Sequence, residues 1–199
     1  MIRVSAIPYL NSVPFVYGLK QVSIAPHMEL SFGSPAETAY RLHHDLCDLA
    51  IVPVAAVPTL PWYQIIGTHC IGAVSAVASV LLCSQVPVSQ IEKVALDQDS
   101  RTSVLLARLL LRDHWRVAPR FIPLPADFPD HPPASAVLIG DKALLHRDKY
   151  AYIYDLAQHW IDWSGKPFVF ALWVANKELP DGFADLFDQA LAYGVAHID

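Results

Sequence analysis

Short apolar runs of strand character alternate along this chain with segments of helical periodicity. That alternation restricts it to folds in which helices cover both faces of parallel or mixed sheets. Ile2 to Ala6 reads as the first strand. Ser34-Pro35-Ala36-Glu37 then predicts a helix start, with serine as cap, proline in the first turn and glutamate at the capping-box position. Ala39, Leu42 and Leu46 continue that helix at the right spacing, and Leu49 to Val52 follows as a fully apolar strand. Ile71 to Ser84 favours strand with a polar point at Ser79, Val94 to Leu96 gives another strand, and Val104 to Trp115 a helix. Pro119 to Pro133 reads as a strand and a surface connection, and Ala136 to Ile139 as a strand running out into Gly140-Asp141. Phe183, Leu186, Phe187, Ala190 and Leu191 predict a last helix, expected to open a longer C-terminal part.

With 199 residues, 54% of them hydrophobic and 17% charged, the chain can bury a large core. No apolar run reaches the ~18 residues of a membrane span. The net charge of -5 is spread without basic blocks, which argues against a nucleic-acid surface. Cys47, Cys70 and Cys83 are odd in number, far apart and set in apolar surroundings, so they read as buried small side chains and not as a disulfide set or a metal box. The start carries no basic segment leading into an apolar signal core, so a cytoplasmic location is expected, with no membrane partner.

One junction carries chemistry. Asp99-Ser100-Arg101-Thr102-Ser103 stands where a strand ends and a helix begins, so backbone N–H groups, hydroxyls and a guanidinium gather at one point. Arg101 can hold a carboxylate by two parallel hydrogen bonds, beside the partial positive charge of the helix start. The plainer alternative is that Thr102 or Ser103 caps the helix and Arg101 is a solvated charge. A second point is Asn11, on the loop Ile7-Pro-Tyr-Leu-Asn-Ser-Val-Pro-Phe15 after the first strand, where open α/β sheets bind ligands. It offers a donor and an acceptor, or is simply the Asx-turn residue between two prolines. Gly140 lets backbone approach a ligand closely, while Asp141 touches substrate, fixes the loop or caps the helix of Lys142 to Leu145.

Four segments in order carry a resemblance: Ile7 to Phe15, Ser79-Val-Leu-Leu-Cys-Ser84, Ser100-Arg-Thr-Ser103 and Ile139-Gly-Asp-Lys-Ala-Leu144, followed by Tyr154-Asp-Leu and the aromatic stretch Trp160 to Trp173. Together they make the chain resemble the chorismate dehydratase family of the futalosine route to menaquinone. The resemblance implies an α/β, two-lobed fold like the type 2 periplasmic binding proteins, with mixed sheets flanked by helices and a ligand cleft between lobes. Lobe 1 would take residues 1–77 and 169–199, and lobe 2 residues 78–168. The implied reaction is loss of water from chorismate to give 3-[(1-carboxyvinyl)oxy]benzoate, with chorismate as the small-molecule partner.

Chorismate carries two carboxylates, a ring hydroxyl and an enolpyruvyl ether, so its site needs anion holders and polar contacts but neither a metal nor a redox cofactor. Ser100, Arg101, Thr102 and Ser103 are expected to hold one carboxylate and Ser79 the other, with Asn11 orienting the leaving hydroxyl or the enolpyruvyl group and Gly140 and Asp141 lining the site. Asn11 and Ser79 are the expected catalytic pair. No matched segment contains a His or Glu, and His43-His44 and His114 are expected at exposed helix ends, so a carboxylate of the substrate is the expected base, with Asp97, Asp99 and Asp141 as alternatives. Trp160, Trp163, Phe168, Phe170 and Trp173 are expected to form an aromatic strand, read chiefly as core. The alternatives in function are a non-catalytic protein that binds a small carboxylate in the same fold, and the sister 1,4-dihydroxy-6-naphthoate synthase activity. The sister family opens with an Asp-rich loop where this chain has Tyr9-Leu10-Asn11-Ser12.

Overall fold

The computed structural model describes every residue except Val22, Gln98, Asp99 and Asp199. The chain runs β1 (Ile2–Ala6), α1 (Val13–Leu19), β2 (Met28–Phe32), α2 (Pro35–His43), β3 (Leu49–Pro53), β4 (Gln64–Ala73), β5 (Val80–Ser84), β6 (Lys93–Leu96) and α3 (Arg101–Leu109). It continues as β7 (Arg120–Pro123), β8 (Ser135–Ile139), α4 (Gly140–His146), β9 (Tyr152–Asp155), α5 (Leu156–Ser164), β10 (Phe168–Ala175) and α6 (Phe183–Val195). Its contacts divide it into two compact units, Met1–Ile71 with Val169–Asp199, and Gly72–Phe168. Each is a mixed five-stranded sheet with helices, as the α/β reading requires.

In the first unit the strand order is β2-β1-β3-β10-β4. β1 runs parallel to β2 and β3, while β10 returns antiparallel to β3. Both faces of the central strands are covered, which explains their continuous apolar sequence. Leu49 and Ile51 of β3, with Ala171 and Trp173 of β10, face the core shared with Phe15, Phe187 and Leu191. Ala50, Val52, Leu172 and Val174 face the opposite layer with Ala39 and Leu42 of α2. The start of α2 is the capping box the sequence predicts: Ser34 Oγ accepts from the Glu37 amide at 3.3 Å, and Glu37 Oε2 accepts from the Ser34 amide at 2.6 Å.

In the second unit the order is β7-β6-β8-β5-β9. β6 is parallel to β7 and β8, and β5 is antiparallel to both β8 and β9. Ala143 of α4 packs with Leu81, Cys83, Ala95, Ala136 and Leu138 on one face of this sheet. The carboxyl ends of β6, β7, β8 and β9 therefore meet the amino end of β5 along a single rim, because the register sets Val80 opposite Ile139 and Leu81 opposite Asp155.

Several expectations need correction. Ile71 to Ser84 is not one strand: β4 ends at Ala73 and β5 begins at Val80. The helix expected to run to Trp115 is α-helical only to Leu109, then widens into a π turn over Leu110–His114, closed by the Trp115 amide donating to the Leu110 carbonyl at 2.9 Å. Trp160 and Trp163 belong to α5, not to a strand, because the Asp155 cap starts a helix there. Cys70 is exposed, since it lies on β4 at the edge of the first sheet, while Cys47 and Cys83 are buried. His43 and His44 are exposed, but His114 is half-buried against Trp115, His159 and Trp163, because the π turn directs that segment toward α5.

Candidate functional site

The rim of the second sheet collects most of the residues singled out in the sequence. Ser100, extended at φ -131 and ψ 100, caps α3. Its Oγ accepts from the Ser103 amide at 3.2 Å and donates to Ser103 Oγ at 2.8 Å. The cap is thus Ser100, not Thr102 or Ser103. Thr102 and Ser103 are 4% and 2% exposed, so their hydroxyls turn into the protein. Arg101, at the first helical position, is exposed and has no hydrogen bond or ion pair among the described residues. The junction therefore presents, among the described residues, one uncommitted guanidinium beside the partial positive charge of a helix start.

Gly140 and Asp141 stand next along the rim. Gly140 opens α4 at φ +53, a conformation that disfavours any side chain although open space surrounds its Cα. Its amide donates to the Ser79 carbonyl at 2.8 Å, which fastens the start of β5 to the end of β8. Asp141 is exposed and makes no cap hydrogen bond, so the capping role considered for it is not realised. Ser79 is half-buried, and its hydroxyl makes no hydrogen bond among the described residues.

Two sets of contacts in this rim are not legible in the sequence, the pairing of Asp97 and the anchoring role of Asp155. Asp97, 3% exposed at the end of β6, pairs with Lys142 of α4 at 3.0 Å. A pocket of about 410 Å³ opens beside that pair, walled by Leu96, Pro123, Leu124 and Phe128. Of the three carboxylates considered as bases, Asp97 is thus engaged by an ammonium group, Asp141 is exposed and Asp99 lies outside the described residues. Asp155 caps α5, with Oδ1 accepting from the Ala157 and Gln158 amides at 3.1 Å each. Its Oδ2 accepts from the Val77 and Ala78 amides at 2.9 and 2.7 Å. Ala78 sits at φ +58, a left-handed conformation that costs a residue with a side chain about 1–3 kcal/mol. An aspartate ahead of Leu156-Ala157-Gln158 is a readable cap signal; its second set of partners is not.

Asn11 belongs to the first unit, in the turn Leu10–Ser12 that follows β1. It is exposed and makes no hydrogen bond to backbone; Ser12 Oγ, 3.5 Å from its Oδ1, is its one partner among the described residues. The turn is closed instead by the Ser12 amide on the Tyr9 carbonyl at 2.9 Å. The Asx-turn alternative therefore fails, and the Asn11 side-chain nitrogen is uncommitted among the described residues.

A family model described as menaquinone biosynthesis matches residues 2–199. This chain belongs to that menaquinone biosynthesis family. The motif resemblance and the family match agree on menaquinone biosynthesis, and membership places the protein in that pathway. Among solved structures it is similar to protein AF1704 of Archaeoglobus fulgidus, with a TM-score of 0.68 and 16% identity over 98% of this chain and 75% of that one. An ABC transporter protein of Parabacteroides distasonis follows at 0.64 and 17%, over 98% and 72%. The periplasmic aliphatic sulphonate binding protein of Escherichia coli matches at 0.57 and 15%, over 98% and 74%. Such identities speak for the fold, and the fold is the periplasmic-binding-protein type that the motifs imply. No helix among the described residues is long and apolar enough to cross a membrane.

Proposed function

We propose that this protein is a lyase that dehydrates chorismate to 3-[(1-carboxyvinyl)oxy]benzoate. The observation that carries the reading is the rim of the second unit, where Arg101, Ser79 and Gly140 stand on three adjoining junctions with the Arg101 guanidinium and the Ser79 hydroxyl unengaged among the described residues. Arg101 and the α3 start hold one substrate carboxylate, with Ser100, Thr102 and Ser103 shaping the junction. Ser79 takes the other, while Gly140 and Asp141 line the approach. Asn11 orients the leaving hydroxyl or the enolpyruvyl group. In the reaction a ring C–H bond and the bond from the ring to its hydroxyl break while the enolpyruvyl ether stays, the C–H electron pair enters the ring, and hydroxyl and proton leave as one water. A carboxylate of the substrate takes the ring proton, its reach set by Asn11 and Ser79. Aromatisation drives the reaction forward, so the protein has only to lower the barrier to proton removal.

Incubation with chorismate, followed by ultraviolet absorbance and mass spectrometry, tests the reading: a benzoate lighter by one water is expected. Asn11→Ala and Ser79→Ala should each lower kcat by about a hundredfold or more. Arg101→Ala removes a charge-assisted pair worth about 1.5–3 kcal/mol and should raise KM about 10–100-fold. Loss of any single histidine should leave turnover standing; one that abolished it in a folded, substrate-binding protein would sink the substrate-base mechanism. The second reading, a protein that binds a small carboxylate without turnover, draws on the likeness to the sulphonate binding protein. It predicts that calorimetry records binding while chorismate is recovered unchanged, again with Arg101 essential.

A further inference from the structure

Ser79 follows a left-handed alanine in the stretch Val74-Ser-Ala-Val-Ala-Ser79, which contains neither glycine nor proline to hold such a bend. Something outside the segment must fix it. We propose that Asp155 is the positioning residue for Ser79, acting from the start of α5 through the backbone of Val77 and Ala78; the proposal rests on the assignment of Ser79 to the dehydration. Four amides converge on this one carboxylate, two from the helix it caps and two from the segment that leads into Ser79. Gln158, one turn into α5, adds a third anchor, its Oε1 accepting from the Ala76 amide at 3.1 Å. Its own amide group is oriented by donation to Asp162 Oδ1 at 2.7 Å. On its other side Ser79 is held by the Gly140 amide. Asp155 and Gln158 thus set the backbone before Ser79 and Gly140 the carbonyl of Ser79 itself, so its hydroxyl leaves a fixed point of the rim. Neutral amide acceptors or water would not gather this set, because both carboxylate oxygens are required and each serves a different element.

The two duties can be separated. Serine is as good a helix cap as aspartate, but it is too short and has too few acceptors to reach Val77 and Ala78 as well. Asp155→Ser should therefore keep α5 and release the segment. Steady-state kinetics on chorismate should show kcat reduced about 10–100-fold, with any rise in KM no larger than that of Ser79→Ala. Placed in the Ser79→Ala background, the same substitution should cost nothing further, since it acts through Ser79. Gln158→Ala, which frees only Ala76, gives a weaker effect of the same kind and serves should Asp155→Ser not fold. Unchanged kcat, or an equal loss with Ser79 already absent, overturns the proposal. A wild-type protein that returns chorismate unchanged overturns the proposed reaction instead, before any variant is made. Amide exchange then decides on Asp155 alone: faster exchange at Val77 and Ala78 in Asp155→Ser, with α5 still protected, upholds its hold on the segment, and unaltered protection refutes it.

Discussion

Tyr150 carries its hydroxyl into the core of the second unit, among Leu81, Cys83 and Leu138, with no hydrogen-bond partner among the described residues. Burial pushes that phenol up to about 12, so it enters the core neutral and still leaves a donor unused. An unmade buried hydrogen bond costs about 1–3 kcal/mol, whereas removing the group altogether is nearly neutral or favourable. Tyr150→Phe should therefore leave the thermal midpoint unchanged or raise it by a few degrees; a clear fall would mean that the hydroxyl has a partner. No pattern around Tyr150 in the sequence announces this, because an unsatisfied atom is a property of the packed neighbourhood. Caps are the opposite case: the Ser34 box is local and was readable in full. Arg101 lies between, since its place at a helix start follows from the sequence, while its lack of a partner among the described residues follows only from what surrounds it.

At the scale of elements, α1 and α6 cross with glycine against backbone. A Cβ on Gly18 would overlap the Ala190 carbonyl, and one on Gly194 the Pro14 carbonyl, and both contacts are with main chain that has no rotamer to yield. Overpacking of this kind costs about 1–3 kcal/mol or more, which exceeds the ~1 kcal/mol that alanine gains over glycine inside a helix. Gly18→Ala or Gly194→Ala should thus lower the thermal midpoint by several degrees, at about 2–4 °C per kcal/mol for a chain of this size. A midpoint that rose would show that the two helices can part without loss. The sequence names the two glycines and gives no reason to pair them. The elements that were legible, such as β1, α2, β3, β6, β8 and α6, are those whose signal is local: alternation, an apolar run or a cap. The break between β4 and β5 was not, because a carboxylate far along the chain makes it. Nor was the π turn, since Leu109-Leu110-Leu111 is apolar at every position and carries no period that an inserted residue could disturb.

For the molecule as a whole, acid acts on the two units through different groups. In the first unit, burial disfavours the charged form of Asp48, yet its ionised carboxylate is held by the Arg3 side chain at 2.6 and 3.2 Å and the Arg3 amide at 2.8 Å, with Lys177 at 2.9 Å. The net result is a carboxyl well below the usual carboxylate range, in a network that joins β1, the start of β3 and the end of β10. In the second unit, burial first and the neighbouring His114 second lower the proton affinity of His159, against opposing pulls from Asp162 and Asp155. Both groups bind protons more weakly in the folded chain than in the unfolded one, so each contributes stability that is lost as pH falls. The onsets differ: His159 begins to act near the ordinary histidine value of about 6.5, and Asp48 only near the ordinary carboxylate value of about 3.9. The thermal midpoint should therefore decline in two stages, the first attached to the second unit and the second to the first. His159→Gln should flatten the decline that sets in as pH falls through about 6.5 and leave the acid limb in place. Asp48→Asn, less stable near neutrality because it leaves Arg3 and Lys177 to the exposed Asp45, should weaken the pH dependence below about pH 4, where Asp45, Asp188 and Glu37 contribute as well. Melting curves of the three proteins between neutral and acid pH, with amide exchange to say which unit opens, decide the point; an acid limb of undiminished slope in Asp48→Asn would mean that other carboxylates govern it.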